Sequence, residues 1–272
     1  MEKKSSCSFT KALFSVGKPV PGTPLVFLLV AIVSTLQIPA NLLMKSFSFN
    51  VGILINEIFI IVGIPLVIAH YLNFDRSRLF VFKIPTAKSW MLATLLAIPA
   101  AFMIDYAAAA SELILPMPQH YHELLNRLMA FEGKWQFVVK LFVLAVLPGT
   151  CEEIFFRGLC QTSLEVKWGK NIAIFLTAGL FALLHGNPWY FHLYYLLGLF
   201  LSWVYAVSRT LWIPITCHVI NNAWTFINNA LGVEYPLESF TGLLDLSLVA
   251  GGAILVLVFA LGFKKASAKK AI

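Results

Sequence analysis

Apolar residues in this chain come in long runs, with neither the alternation of strands nor the narrow stripe of surface helices. A membrane-crossing helix needs ~20 mostly apolar residues, and eight runs are candidates. They lie at about Pro24–Met44, Val51–Leu72, Trp90–Leu113, Gln136–Leu164, Asn171–His185, Trp189–Val207, Trp212–Leu231 and Leu243–Phe263. The fifth and sixth are short and separated only by Gly186, Asn187 and Pro188, which predicts a tight antiparallel hairpin. One segment follows a different rule. Between Pro116 and Trp135, Tyr121, Leu124, Leu125, Leu128 and Phe131 recur at helical spacing among His120, His122, Glu123, Asn126 and Arg127. That pattern predicts a short amphipathic helix lying in the membrane interface. The expected fold is an all-α, polytopic membrane bundle of about eight transmembrane helices, forming one domain over residues 1–272.

Composition agrees with this reading. Only 12% of the 272 residues are charged, against ~25% in soluble domains, and the mean hydropathy is +0.82. The net charge of +7 would suggest nucleic acid in a soluble protein, but here placement accounts for it and no nucleic-acid partner is expected. With the N-terminus in the cytoplasm and strict alternation, fifteen Lys and Arg fall on the cytoplasmic side and three (Lys45, Arg127, Lys134) on the other. Lys140 and Arg157 lie inside a span. Such a bias sets orientation and puts both termini in the cytoplasm. The compact loops favour a bacterial plasma membrane. Lysines precede the first apolar run, but no small-residue cleavage site follows, so an uncleaved span is expected. Cys7, Cys151, Cys160 and Cys217 show no metal-ligand spacing and read as small buried thiols.

Several polar residues interrupt the apolar runs. An ionised carboxylate at bilayer depth costs at least ~2.5 kcal/mol and usually serves function, yet Glu152, Glu153 and Arg157 all sit in the fourth run. Residues four apart share a helix face, so Glu153 can pair with Arg157, while Glu152 lies ~100° round the helix. One acid is held and the other stays available as a base; a pair that merely orients helices would need a single acid. Pro148, one turn earlier, predicts a kink. His185 ends the fifth run, and His218 and Asn222 share a face of the seventh. By rise per residue, Glu152, Asn222 and His185 lie ~18, ~15 and ~21 Å above the cytoplasmic ends of their spans, with His218 a turn below Asn222. All four can line one intramembrane polar cavity. A carboxylate and a histidine can activate water, and a histidine and an amide can donate to an oxyanion. Neither a zincin nor a serine-hydrolase motif is present. Glu57, Asp105 and Lys140 are further charges in spans, for which a structural Lys140–carboxylate pair is expected, a proton path or substrate-entry role being the alternative.

Glu152-Glu153-x-x-x-Arg157, Phe181-x-x-x-His185 and His218-x-x-x-Asn222, in that order on three hydrophobic runs, resemble the CPBP (CAAX protease and bacteriocin-processing, or Abi) family of intramembrane proteases. The resemblance covers the core 136–231. It implies that Glu152 and His185 activate water, that His218 and Asn222 stabilise the oxyanion, and that Glu153 and Arg157 support the site. The implied activity is a CAAX-type intramembrane endopeptidase acting on a membrane-associated or lipidated peptide or protein. A non-catalytic bacteriocin-immunity or scaffold protein of the same fold is the alternative, and a proton-coupled transporter is disfavoured by the lack of inverted repeats. No cofactor is favoured. A zinc ion held by Glu152, His185 and His218 stays open, although no ligand pair is closely spaced on one helix. The orientation is directly testable: reporter fusions should place residues 1 and 272 on the same, cytoplasmic side, and opposite placement would refute the topology.

Overall fold

The computed structural model describes residues 19–46, 48–233 and 243–268; Lys3, Lys4, Cys7, Lys11, Lys18, Lys269 and Lys270 lie outside them. Among the described residues every regular element is helical. In chain order these are α1 (Thr23–Ser46), α2 (Phe49–Tyr71), α3 (Arg76–Leu79), α4 (Ala87–Ile114) and α5 (Gln119–Met129). A continuous helical path then runs from Gly133 to Leu184, broken only at Gly169, whose φ of 73° no helix accommodates. Its two parts are α6 (133–168) and α7 (170–184). Then follow α8 (Phe191–Ser208), α9 (Trp212–Ala230) and α10 (Leu243–Ala268).

A helix stands at each of the eight predicted runs. Among the described residues four segments are long and apolar enough to cross a membrane: Phe49–Tyr71, Ala87–Ile114, Phe191–Ser208 and Ser247–Ala268. In α1 the stretch Thr23–Pro39 is apolar. The other runs differ for identifiable reasons: α6 carries Lys140, Glu152, Glu153 and Arg157. The 15 residues of α7 rise only ~22 Å, less than a bilayer core of ~30 Å. His218, Asn221 and Asn222 lower the hydropathy of α9. Eight is thus the count that the charge pattern calls for, and four the count that length and apolarity deliver.

Packing places the polar helices inside. Helices α7 and α8 form the expected antiparallel hairpin. Its turn is closed by Gly186 at φ 60° and by Asn187, whose Oδ1 accepts from the backbone N–H groups of Trp189 and Tyr190 at 3.1 and 3.2 Å. Gly198 of α8 lies so close to α7 that an added Cβ would sit 2.9 Å from Ala178 Cα. Helix α4 packs on both α9 and α10 and is pinned to them by hydrogen bonds from Trp90 Nε1 to Thr216 Oγ1 and between the Ser89 and Ser267 hydroxyls, each 2.9 Å. Ile254, Leu257 and Leu261 on α10 are exposed, as a lipid-facing helix requires.

Helix α6 is not regular. Two π-helical stretches, Phe142–Val146 and Ile154–Gln161, flank the α-helical segment Leu147–Glu153 that contains Pro148 and both glutamates. Wider π turns absorb an extra residue and are frequent at functional sites. They are how this helix accommodates a proline without breaking, and they set the direction in which residues 152–157 project. Helix α2 has the same device at Asn56–Gly63.

Candidate active site

The most deeply buried charges are at the centre of the bundle. Glu153 and Arg157, both fully buried, pair at 2.6 Å between Oε1 and Nη1. The same Glu153 Oε1 lies 2.8 Å from His218 Nδ1 on α9, and Arg157 Nη2 donates to the carbonyl of Gly198 on α8 at 3.1 Å. One carboxylate therefore joins α6 to α9, and its arginine joins α6 to α8. The missing side chain of Gly198 is what lets the α7–α8 hairpin close under this contact. Phe181 fills the space between: its ring lies 4.8 Å from the Arg157 guanidinium carbon, 4.5 Å from the His185 ring and 5.6 Å from the His218 ring. A cation over an aromatic face is attracted to it, so this phenylalanine packs against three motif residues at once.

Glu152 is turned away from the ion pair. It lines two cavities, of about 510 and 340 Å³, and His185 lines both with it. Glu152 Oε2 and His185 Nε2 are 3.9 Å apart. That is too long for a direct hydrogen bond and short enough for one water to touch both. His185 Nδ1 sits 2.8 Å from the Phe181 carbonyl. A carbonyl only accepts, so Nδ1 carries the hydrogen and Nε2 presents a lone pair toward Glu152. Tyr194 stacks on the other face of the ring at 4.0 Å, fixing its plane. His218, Asn221 and Asn222 line the smaller cavity beside Glu152. Asn222 Oδ1 accepts from Asn221 at 3.2 Å, which turns its amide nitrogen to other use. Glu152, His185, His218 and Asn222 therefore border one cavity, and Glu153 and Arg157 lie directly behind it.

The remaining intramembrane charges are arranged differently from expectation. Lys140 makes no ion pair among the described residues; its ammonium donates to the carbonyl of Leu128 at the end of α5, at 2.5 Å. The geometric reason is local: Lys140 lies about two turns into α6 beyond the α5–α6 connection, within reach of a helix-end carbonyl. Asp105 instead accepts from Thr225 and Asn228 on α9, at 2.9 and 3.2 Å. Glu57 accepts from Asn56 Nδ2 at 3.1 Å and lines the larger cavity with Glu152. The amphipathic segment forms α5, whose Leu125 and Leu128 line both cavities. It covers the site as well as facing the interface, and is tied down where His122 meets Glu112 at 3.3 Å. Cys151, Cys160 and Cys217 are buried free thiols, as expected.

Tyr194, Gly198 and Glu57 carry no motif and were not singled out as site residues. For the first two, the sequence offers no signal beyond membership of the hairpin; Glu57 was visible as a lone acid in an apolar run.

Residues 134–224 match the family model of type II CAAX prenyl endopeptidase Rce1-like proteins. The match contains all three motifs and agrees with the CPBP resemblance. The chain is also 25% identical over 115 residues to a protein of Bacillus subtilis (strain 168) named "Putative membrane peptidase YdiL". That similarity covers 42% of this chain and 46%, about half, of the relative. No solved structure matches. At the level of the family, these similarities support a membrane peptidase.

The buried cluster generates one prediction. Replacing Glu153 by Ala leaves Arg157 without its carboxylate in a site closed to water, and breaking a buried pair this way costs about 3–5 kcal/mol. Purified Glu153→Ala should melt well below the wild type in thermal unfolding, while Glu152→Gln should melt close to it. Equal melting of Glu153→Ala and wild type would show that the pair does not hold the bundle.

Proposed function

We propose that the protein is an intramembrane endopeptidase that cleaves a membrane-embedded or lipidated peptide or protein with water activated by Glu152 and His185. The observation that carries this reading is the pairing of two bases, the Glu152 carboxylate and the hydrogen-free Nε2 of His185, 3.9 Å apart at the junction of two cavities. The proposed reaction needs only groups on this wall. A water between the two bases loses a proton to Glu152 as its oxygen attacks the peptide carbonyl. Positive and amide donors stabilise the resulting oxyanion: His218 through Nε2 and Asn222 through its amide nitrogen. Because His218 Nδ1–H is directed to Glu153, donation from Nε2 requires the doubly protonated ring, which the Glu153 carboxylate stabilises. The C–N bond then breaks, the amine takes the proton from Glu152, and the products are a carboxylic acid and an amine.

The cavity suits an apolar substrate chain. Ile104, Leu144, Leu193, Leu197 and Phe226 line the smaller compartment, and nonpolar walls of this kind bind a hydrophobic segment while a few polar groups fix its register. The positive-inside pattern supports cytoplasmic termini, and the compact loops support a bacterial plasma membrane.

Zinc is the cofactor that a metalloprotease reading would add, with Glu152, His185 and His218 as its ligands. Among the described residues, no three His, Cys, Asp or Glu side chains converge as a metal site. His185 and His218 each have Nδ1 engaged, to a carbonyl and to Glu153, and a metal would require their Nε2 atoms and Glu152 to converge on one point. The reaction proposed here needs no metal.

Two measurements test this reading. Glu152→Gln should abolish cleavage, read by mass spectrometry of membrane peptides from wild-type and variant cells, with expression and melting preserved. Unchanged peptide profiles, or in vivo function that survives the substitution, would instead favour a non-catalytic immunity or scaffold role. Chelator treatment of the purified, active protein should leave cleavage intact. Stoichiometric zinc whose removal stops cleavage and whose return restores it would make the two histidines ligands.

A further inference from the structure

The larger cavity, about 510 Å³, has a polar wall that the proposed hydrolysis does not use. Its walls come from the first two helices, which carry no motif, and from α5, and it meets the reaction centre through Glu152 and His185. Three buried oxygens on the residues of this wall have no hydrogen-bond partner: Asn56 Oδ1, Glu57 Oε2 and Glu152 Oε2. The lone pair of His185 Nε2 faces the same side. Glu152 Oε2 and His185 Nε2 belong to the reaction centre, which leaves Asn56 Oδ1 and Glu57 Oε2 as acceptors without a role there. Buried acceptors are normally satisfied. No Lys or Arg lines the cavity, and the two forward nitrogens of Arg157 are bound to Glu153 and to Gly198.

Glu57 is the defining member. It is 4% exposed and held in place by the donation from Asn56 Nδ2 to its other oxygen. It projects from a π-helical stretch of α2 that packs directly on the Glu152 segment. An isolated acid in an apolar transmembrane helix is costly and calls for a named partner. Lys140, the expected one, is engaged elsewhere. A group with several N–H donors and no acceptor would complete the wall, and among natural side chains these are the ammonium of Lys and the guanidinium of Arg. Phe49, Ile53, Leu124 and Leu184 line the rest of the cavity and would cover the apolar stem that such side chains bury while their charged head is held.

We propose that this cavity is a specificity subsite for a basic side chain of the substrate, with Glu57 as its counter-charge and Asn56 Oδ1 as a supporting acceptor. The proposal rests on the endopeptidase reading in placing that side chain next to the bond to be cut. It differs from that reading in concerning recognition: Glu57 takes no part in bond breaking.

The test has a binding arm that needs no cleavage and a cleavage arm that does. In the first, wild type and Glu57→Gln are reconstituted in lipid nanodiscs. Their melting temperatures are measured with n-hexylammonium chloride, and with n-hexanol to subtract partitioning into lipid. Wild type should show a saturable stabilisation by the ammonium beyond that of the alcohol, and Glu57→Gln should lose it. In the second, a membrane-anchored fluorogenic peptide library carries Lys or norleucine at each position flanking the scissile bond. Wild type should prefer Lys at one position by about tenfold in kcat/KM, the scale of one charge-assisted hydrogen bond, and Glu57→Gln should bring the ratio near one. Should Glu57→Gln fail to fold, Glu57→Asp keeps the charge and must retain a weakened preference for the ammonium.

The outcomes separate the two readings. An ammonium response that depends on Glu57, with no cleavage of any peptide, upholds the subsite and removes the protease. Cleavage that depends on Glu152, with neither an ammonium response nor a Lys preference, upholds the protease and overturns the subsite. An equal ammonium response in wild type and Glu57→Gln also overturns it, as does infrared evidence that Glu57 and Glu152 hold one proton between them in place of a cation.

Discussion

One buried carboxylate organises this bundle. Glu153 accepts from Arg157 on its own helix and faces His218 on α9, while Arg157 reaches across to the α8 backbone at Gly198. Three helices are thereby fixed relative to one another by a cluster that water does not reach. Inside a membrane there is no hydrophobic drive holding helices together, since lipid is as apolar as the side chains, so packing and polar contacts of this kind carry more of the association.

The same cluster explains why two adjacent glutamates serve different ends. Their side chains leave the helix ~100° apart, and the π turns on either side of Leu147–Glu153 set which face points inward. Glu153 falls on the protein-filled side, where Arg157 and His218 both meet its Oε1. Glu152 falls on the cavity side, where its side chain lines both cavities. A regular helix through Pro148 would lose a backbone bond there. The π geometry redistributes that loss over neighbouring residues and, in doing so, aims the glutamate.

Much of this was legible in the sequence, and what was not has a physical reason. The all-helical bundle followed from run length, the hairpin from three loop residues, and the Glu153–Arg157 contact from four-residue spacing. Each of these is a local signal. Depth arithmetic was enough to bring Glu152, His185, His218 and Asn222 to one level. Contacts between helices distant in sequence were not accessible in this way. Nothing in the spacing connects Glu153 to His218, Gly198 to Arg157 or Tyr194 to His185, because these depend on how helices rotate about their axes. Lys140 shows the limit most clearly. Depth put it near two carboxylates, but the α5 carbonyl of Leu128 lay closer, and a helix terminus competes for an ammonium as well as a side chain does.

Helix α7 ends at Leu184 after a rise of ~22 Å, short of the ~30 Å of a bilayer core. Irregular backbone inside a membrane is tolerated only where protein or a water-lined cavity satisfies it. Here Asn187 caps two backbone N–H groups, and Tyr190 donates to Glu112 on α4 at 2.7 Å. Glu112 in turn holds the backbone N–H of Met117 and meets His122 on α5. The network that supports this turn is therefore the same one that seats α5 over the cavities. A full-length α7 would need none of it, and would carry its terminal histidine past Glu152. The truncated helix, the satisfied turn and the covering helix form one arrangement, and its effect is to hold His185 3.9 Å from the Glu152 carboxylate.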